Sequence, residues 1–240
     1  VVSRELWGVE NLALIPGSVG GAFVQNIGAY GMEVKENVLW VEVFDVPTMS
    51  IRRYVNTECG FGYRESIFKT NKNLIVLRGA IKLFRIPHKR IEYEDIKIFF
   101  EEQKISNPTL KQIHDAVVFI RTKKMPQKPL GTAGSFFKNP VISHSQYMLL
   151  LEKFPNVKSY VVDDNNVKIS ADFLLDKIGE WKGFRKGDVG VHEKQSLILI
   201  NYGNARAHEI ISLASEMKDD IYKKTKINLE EEVVTMKNIF

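Results

Sequence analysis

The segment Gly8–Gly31, GVENLALIPGSVGGAFVQNIGAYG, constrains this chain more than any other. It is rich in glycine and apolar residues and poor in charge. Its Pro16-Gly-Ser-Val-Gly-Gly-Ala22 core offers several backbone N–H groups with little side-chain bulk, so such a loop can approach a phosphate or a planar ring closely. It is neither a P-loop nor a Rossmann fingerprint, since the lysine of the first and the glycine spacing of the second are absent. Read alone, it fits a structural turn as well as a ligand loop. Gln25 and Asn26 add amides that need partners if buried, and a heteroaromatic cofactor would be one such partner.

The rest of the chain narrows the class. With 44% hydrophobic and 26% charged residues, the 240 residues read as soluble and globular, which excludes collagen-like, low-complexity and disordered classes. No run approaches the ~20 apolar residues of a bilayer span. The one cysteine, Cys59, excludes a disulfide framework and a thiolate zinc site, and makes a cytoplasmic setting the expectation. The histidines lack ligand-like spacing, so no metal is expected. The net charge of +5 favours acidic partners. The basic residues fall in short clusters, Arg52-Arg53, His88-Lys89-Arg90 and Arg121-Thr-Lys123-Lys124, which read mostly as solvated surface; no nucleic-acid motif is present. The chain starts at Val1 with no apolar signal core behind it, and the expectation is a cut N-terminus.

Val38–Phe44 and Leu74–Phe84 are β-branched and aromatic and predict strands. Asn107-Pro108 predicts a helix start, with Leu110, Ile113, Val117 and Ile120 on one face. A Pro/Gly-rich loop follows to Gly134. Ser143–Phe154 and Ser170–Ile178 predict helices, Val161–Ile169 a hairpin with a polar turn, and Ser196–Ile200 a buried strand. Asn204 is the expected cap of a long helix with an apolar stripe of Ala207, Ile210, Ile211, Ala214, Met217 and Ile221. Ile227–Met236 predicts a final strand carrying Glu230, Glu231 and Glu232. The class is α+β in two subdomains, 1–109 and 110–240.

Taken with FGYRESIFK (Phe61–Lys69), RTKKMP (Arg121–Pro126), AGSFFKNP (Ala133–Pro140), WKGFRKGDVGVHEKQSLILIN (Trp181–Asn201) and LEEEV (Leu229–Val233), the Gly8–Gly31 segment resembles the UDP-N-acetylenolpyruvoylglucosamine reductase family, type I, of peptidoglycan synthesis. The blocks run in family order and nearly span the chain. The resemblance implies the remainder of a two-subdomain FAD-binding domain of the PCMH/VAO-like kind over 1–109, with a UDP-sugar-binding α+β domain over 110–240. It implies FAD and NADPH as cofactors and UDP-N-acetylglucosamine enolpyruvate as substrate, with neither nucleic acid nor membrane as partner. In the family an earlier subdomain carries a Gly-x-Gly-Ser-Asn-type loop for the FAD pyrophosphate. No such loop exists here, so the expectation is an N-terminally truncated reductase that binds FAD weakly or not at all by itself.

The family reaction adds hydride to carbon 3 of the enolpyruvyl group and a proton to carbon 2. By resemblance, Ser135 matches the proton donor, Arg64 the arginine that stabilises the enolate carboxylate, and Glu232 the C-terminal glutamate that assists, with Glu230 as the fallback register. Gly17, Ser18, Gly20, Gly21, Ala22, Val24, Gln25, Ile27 and Gly28 match the flavin-contacting segment. Tyr93, Lys124 and Asn139 match residues on the diphosphate and uridine side, and Tyr93 lies in a lid-like loop. Tyr30, Lys182 and Gln195 are further substrate candidates. The ordinary alternatives are a turn serine at Ser135, a surface ion pair of Arg64 with Glu65, edge packing for Tyr93 and solvated carboxylates for the glutamates. His192 reads as structural. Competing readings of the whole are an alcohol oxidase of the wider FAD fold, or a non-catalytic, basic module that binds UDP-sugars or polyanions.

Overall fold

The structure is a computed structural model that describes residues 1–236. The chain divides into two compact units, Val1–Lys123 and Lys124–Phe240. The first unit runs α1 (Val19–Gln25), β1 (Gly28–Ala29), β2 (Met32–Glu33), β3 (Val38–Asp45), β4 (Ser50–Val55), α2 (Ile67–Thr70), β5 (Leu74–Ile81), α3 (Glu94–Glu102) and α4 (Leu110–Lys124), whose last residue opens the second unit. The second contains β6 (Val141–Ser143), α5 (His144–Lys153), β7 (Ser159–Val161), β8 (Asn166–Ile169), α6 (Ala171–Phe173) continued by a π-turn (Leu174–Ile178), β9 (Arg185–Lys186), β10 (Val189–Val191), β11 (Leu199–Asn201) and α7 (Ala207–Thr225). No described helix is long and apolar enough to cross a membrane.

In the first unit β3 is the centre of an antiparallel sheet ordered β4-β3-β5. Its period of two sends Val41 and Val43 inward, where both are fully buried with Phe23, Val38, Phe68 and Leu74. Each such side chain contributes about 1.5–3 kcal/mol when taken from water. Cys59 belongs to this core, and burial pushes its thiol up to about 11. On the other face Glu42 stands between Arg53 and Arg78 in register and bonds both, at 3.1 and 2.6 Å. The pair Arg52-Arg53 therefore lies on a strand, with Arg52 meeting Asp45 at 2.9 Å.

The second core of this unit joins α3 and α4 to Trp7: Ile96, Phe100, Leu110, Ile113, Ala116, Val117 and Ile120 are buried together. This packing counts α4 with the first unit, so the compact division falls at Lys123–Lys124 rather than near 109. Asn107 does not cap α4. Thr109 does, accepting from the Gln112 amide at 3.3 Å while its own amide donates to Gln112 Oε1 at 2.8 Å. Asn107 instead accepts a bond from Lys89.

In the second unit α7 buries Leu213, Ala214, Met217 and Ile221 in one core with β8, β10, β11, α6 and the aromatic pair Phe136–Phe137. The sheet order is β6-β8-β7, and the β7–β8 turn is polar, with the Asn165 amide on Asp163 Oδ1 at 2.8 Å. Ser143 and Gln146 form a capping box at α5. Three expectations change. Arg206, not Asn204, precedes α7, its amide bonded to Glu209 Oε2 at 2.7 Å, while the Asn204 amide meets Asp188. The buried strand starts at Leu199, since 196–198 form a turn and a bridge. Residues 227–236 are extended without a ladder, apart from one bridge, Phe137 to Glu231.

Candidate active site

The glycine-rich segment folds as an exposed turn into α1. Ser18 caps the helix by accepting from the Gly21 amide at 3.1 Å. Gly17 adopts φ +118°, which disfavours any side chain, and nothing lies within 4 Å of where its Cβ would stand. A Cβ at Gly21 would meet only Ser18 Oγ, at 3.4 Å. Gly20, Gly21, Ala22, Val24 and Gln25 lie in α1, and Ile27 bonds back to the Ala22 carbonyl at 3.1 Å. Asn26 is fully buried and engaged internally, with Nδ2 on the Gly62 carbonyl at 2.7 Å and Oδ1 accepting from Lys35 at 3.1 Å. The amide expected to await a cofactor is thus part of the frame.

That frame fixes Arg64. Its guanidinium donates to the Gly28 carbonyl at 2.7 Å and to Glu33 at 3.2 Å, and lies over the Tyr63 ring at 4.9 Å. A Cβ at Gly28 would stand 2.7 Å from Arg64 Nη1, so only glycine admits this approach. Glu33 pairs with Arg64 at 3.2 Å, and Glu65 pairs with Lys69 at 3.7 Å. Glu33 also holds Asn26 at 3.2 Å and Lys35 at 3.0 Å.

Tyr30 takes φ +49°, its carbonyl held by Asn11 Nδ2 at 2.8 Å. Its ring meets that of Tyr93 edge to face at 5.3 Å. Tyr93 immediately precedes α3. The Tyr30 hydroxyl interacts electrostatically with Arg121, a residue first read as part of a solvated cluster. Burial raises the Tyr30 phenol above its ordinary value, against the pull of Arg121, and the same burial lowers the Arg121 guanidinium. The signal that could have found Arg121 is its place four residues after Val117, at the edge of the buried stripe.

In the second unit a three-stranded extended patch gathers the remaining candidates. Ser135 bridges Ile198, and the Phe136 amide bonds the Leu197 carbonyl at 2.8 Å. On the other side Phe137 bridges Glu231, the Glu232 amide bonds the Phe136 carbonyl at 2.8 Å, and the Lys138 amide bonds the Glu230 carbonyl at 2.8 Å. Ser135 is exposed, whereas Phe136, Phe137 and Lys138 are buried. The three glutamates part company: Glu230 pairs with Lys138 at 2.6 Å, Glu231 with Lys218 at 3.2 Å, and Glu232 stands half-buried beside Phe136.

Lys124 ends α4 and is half-buried. Lys182 is tied to Asp176 at 3.0 Å. Asn139 Oδ1 accepts from the Ala171 amide at 2.9 Å, at the start of α6. Gln195 precedes Ser196, which is fully buried and bonded to Asp172. Asp172 was not foreseen, and only its place two residues after the capping Ser170 hints at a structural role.

The family model of the UDP-N-acetylenolpyruvoylglucosamine reductase C-terminal domain matches residues 125–236. Over 236 residues the chain is 42% identical to the UDP-N-acetylenolpyruvoylglucosamine reductase of Flavobacterium johnsoniae, covering 97% of this chain and 70% of that protein. The reductase of the same name from Pseudomonas syringae pv. syringae is 42% identical over 229 residues, or 95% of this chain and 67% of its own length. The crystal structure of UDP-N-acetylenolpyruvylglucosamine reductase (MurB) from Thermus caldophilus aligns with a TM-score of 0.64 at 27% identity, over 96% of this chain and 64% of that one. With relatives this similar matched over two thirds of their length, the chain belongs to the UDP-N-acetylenolpyruvoylglucosamine reductase family.

Proposed function

We propose that this chain carries out the reduction of UDP-N-acetylglucosamine enolpyruvate to UDP-N-acetylmuramate, in the cytoplasm, with FAD as cofactor and NADPH as reductant, as a step of peptidoglycan precursor synthesis. The observation that carries the reading is the extended patch of a family member in which the Glu232 amide bonds the Phe136 carbonyl, one residue from Ser135. In this reading Glu232, rather than Glu230, is the assisting carboxylate.

The open turn at Gly17 and Gly21 fits a flat or phosphorylated group, because backbone can be approached at Gly17 without meeting a side chain and at Gly21 beside Ser18 Oγ alone. In this reading Gly17, Ser18, Gly20, Gly21, Ala22, Val24, Gln25, Ile27 and Gly28 hold the flavin, which when bound supplies the hydride for carbon 3. Reduction of the enol ether leaves negative charge spread onto the substrate carboxylate. Arg64 meets that charge. A guanidinium carries five donors, so its hold on Glu33 and the Gly28 carbonyl is compatible with donating to a carboxylate. Ser135 then delivers the proton to carbon 2, and Glu232 assists the enolate or proton step.

On the diphosphate side Lys124 acts as a point charge and Asn139 as a neutral donor. The Asn139 oxygen is taken by Ala171, so a contact to the ligand would come from its Nδ2 donor, the correct sign for phosphate oxygens. Tyr30 and Tyr93 form an aromatic wall on the sugar-nucleotide, Gln195 adds a polar contact, and Lys182, tied to Asp176, adds charge at a distance. The test is NADPH consumption by the flavin-loaded protein with and without the enolpyruvyl substrate, followed by mass analysis. Formation of UDP-N-acetylmuramate is expected; consumption without that product overturns the reading.

A further inference from the structure

We propose that Asp172 is a positioning residue for the UDP-sugar contact at Gln195, an inference that rests on the substrate reading above. Ser196 is fully buried. Its amide donates to Asp172 Oδ1 at 3.1 Å, and its hydroxyl approaches Oδ1 at 2.5 Å and the Asp172 carbonyl at 3.0 Å. One acidic residue therefore grips Ser196 at both ends, which fixes where the preceding residue, Gln195, leaves the backbone. The next residues carry the same restraint onward, since Ile198 bonds the Gln195 carbonyl at 3.1 Å and Leu197 accepts from Phe136, the neighbour of Ser135. On the helix side Ala171, adjacent to Asp172, is the residue whose amide fixes the Asn139 carboxamide. Two consecutive residues of α6 thus set the geometry of two proposed substrate contacts, Asn139 through Ala171 and Gln195 through Asp172. A carboxylate suits this place because it accepts several hydrogen bonds at once and charge-assisted ones are the stronger.

Two measurements on this chain test the inference. The first is amide hydrogen exchange without ligand. Asp172→Ala should speed exchange at Phe136 and Ile198, which Asp172 does not touch, at least tenfold, while Ile169, bonded to the Pro140 carbonyl, keeps its rate. Unchanged rates at Phe136 and Ile198, or an equal rise at Ile169, overturn the positioning role. The second is calorimetric titration with UDP-N-acetylglucosamine enolpyruvate. Asp172→Ala should weaken binding about tenfold, the loss expected for a hydrogen bond to a charged group. Asp172→Asn, which keeps an acceptor for the Ser196 amide, should recover most of it, and Ser196→Ala should fall between. In a Gln195→Ala background the Asp172→Ala loss should shrink below twofold. The same loss in both backgrounds overturns the inference and leaves the substrate reading intact, whereas no binding to the unsubstituted chain overturns the substrate reading and this inference with it.

Discussion

In the first unit Arg64 is gripped through its side chain, by Glu33 and the Gly28 carbonyl, and is mostly sheltered. In the second unit Ser135 is exposed, and its segment is gripped through the backbone by two extended neighbours, 197–198 and 230–232. In the proposed function Arg64 meets developing charge, and such a group profits from being fixed in advance, because no reorganisation is then needed during reaction. Ser135, the proposed proton donor, has its support behind it, in the buried Phe136–Phe137 pair, where restraint of the backbone leaves the hydroxyl its rotation.

Four substitutions break or sharpen this contrast. Ser135→Ala removes the donor and leaves its backbone support in place. Formation of UDP-N-acetylmuramate by the flavin-loaded protein should fall by about 10²–10⁴-fold, while flavin reduction by NADPH, followed by absorbance, stays within a factor of two or so. Loss of both half-reactions would make Ser135 structural. Arg64→Lys keeps a charge but loses the fork, and kcat should drop about 10²-fold; a change confined to KM would place Arg64 in ground-state binding alone. Next in size, Glu232→Gln should lower kcat about tenfold more than Glu230→Gln, if Glu232 is the residue of the proton step as proposed. The reverse order would restore the other register.

The smallest effect concerns pH. His192 is buried, its Nδ1 has no hydrogen-bond partner among the described residues, and burial lowers its pKa from the ordinary 6.5. The unfolded chain therefore binds the proton more readily than the folded one. The stability this contributes is present above about pH 6.5 and is lost as pH falls through the lower, folded value. In urea titrations between pH 7 and 5, His192→Gln should flatten the decline by about 1 kcal/mol or less. An unchanged slope would assign the acid sensitivity to the carboxylates.

The elements whose apolar spacing runs for several turns were legible in the sequence. The buried stripe of α4 emerged as read, as did the helices from His144 and Ala171 and the strands β3 and β5. Misplaced features were those where two residues compete for one task. Asn107 and Thr109 are both competent caps, and Gln112 decides for Thr109 because it lies three residues on, at capping-box spacing. Leu229–Val233 alternates like a strand, yet its partner Ser135–Lys138 is itself a connecting segment, so pairing stops at one bridge. At the site, family blocks named Ser135, Arg64 and Glu232, whereas Arg121 and Asp172 left only faint local signals and Glu33 left none. Each of these works through a residue far along the chain: Glu33 through Arg64, Arg121 through Tyr30, and Asp172 through Ser196.

The lone thiol has a use of its own. Cys59 sits in the core beneath β3 with its pKa held near 11, so in the folded first unit it is both shielded and protonated. Alkylation at neutral pH can proceed only through openings of that core, and the second unit carries no cysteine to confuse the count. The rate of labelling is therefore a built-in clock for the opening of one unit, and it can be read while the other is mutated at will.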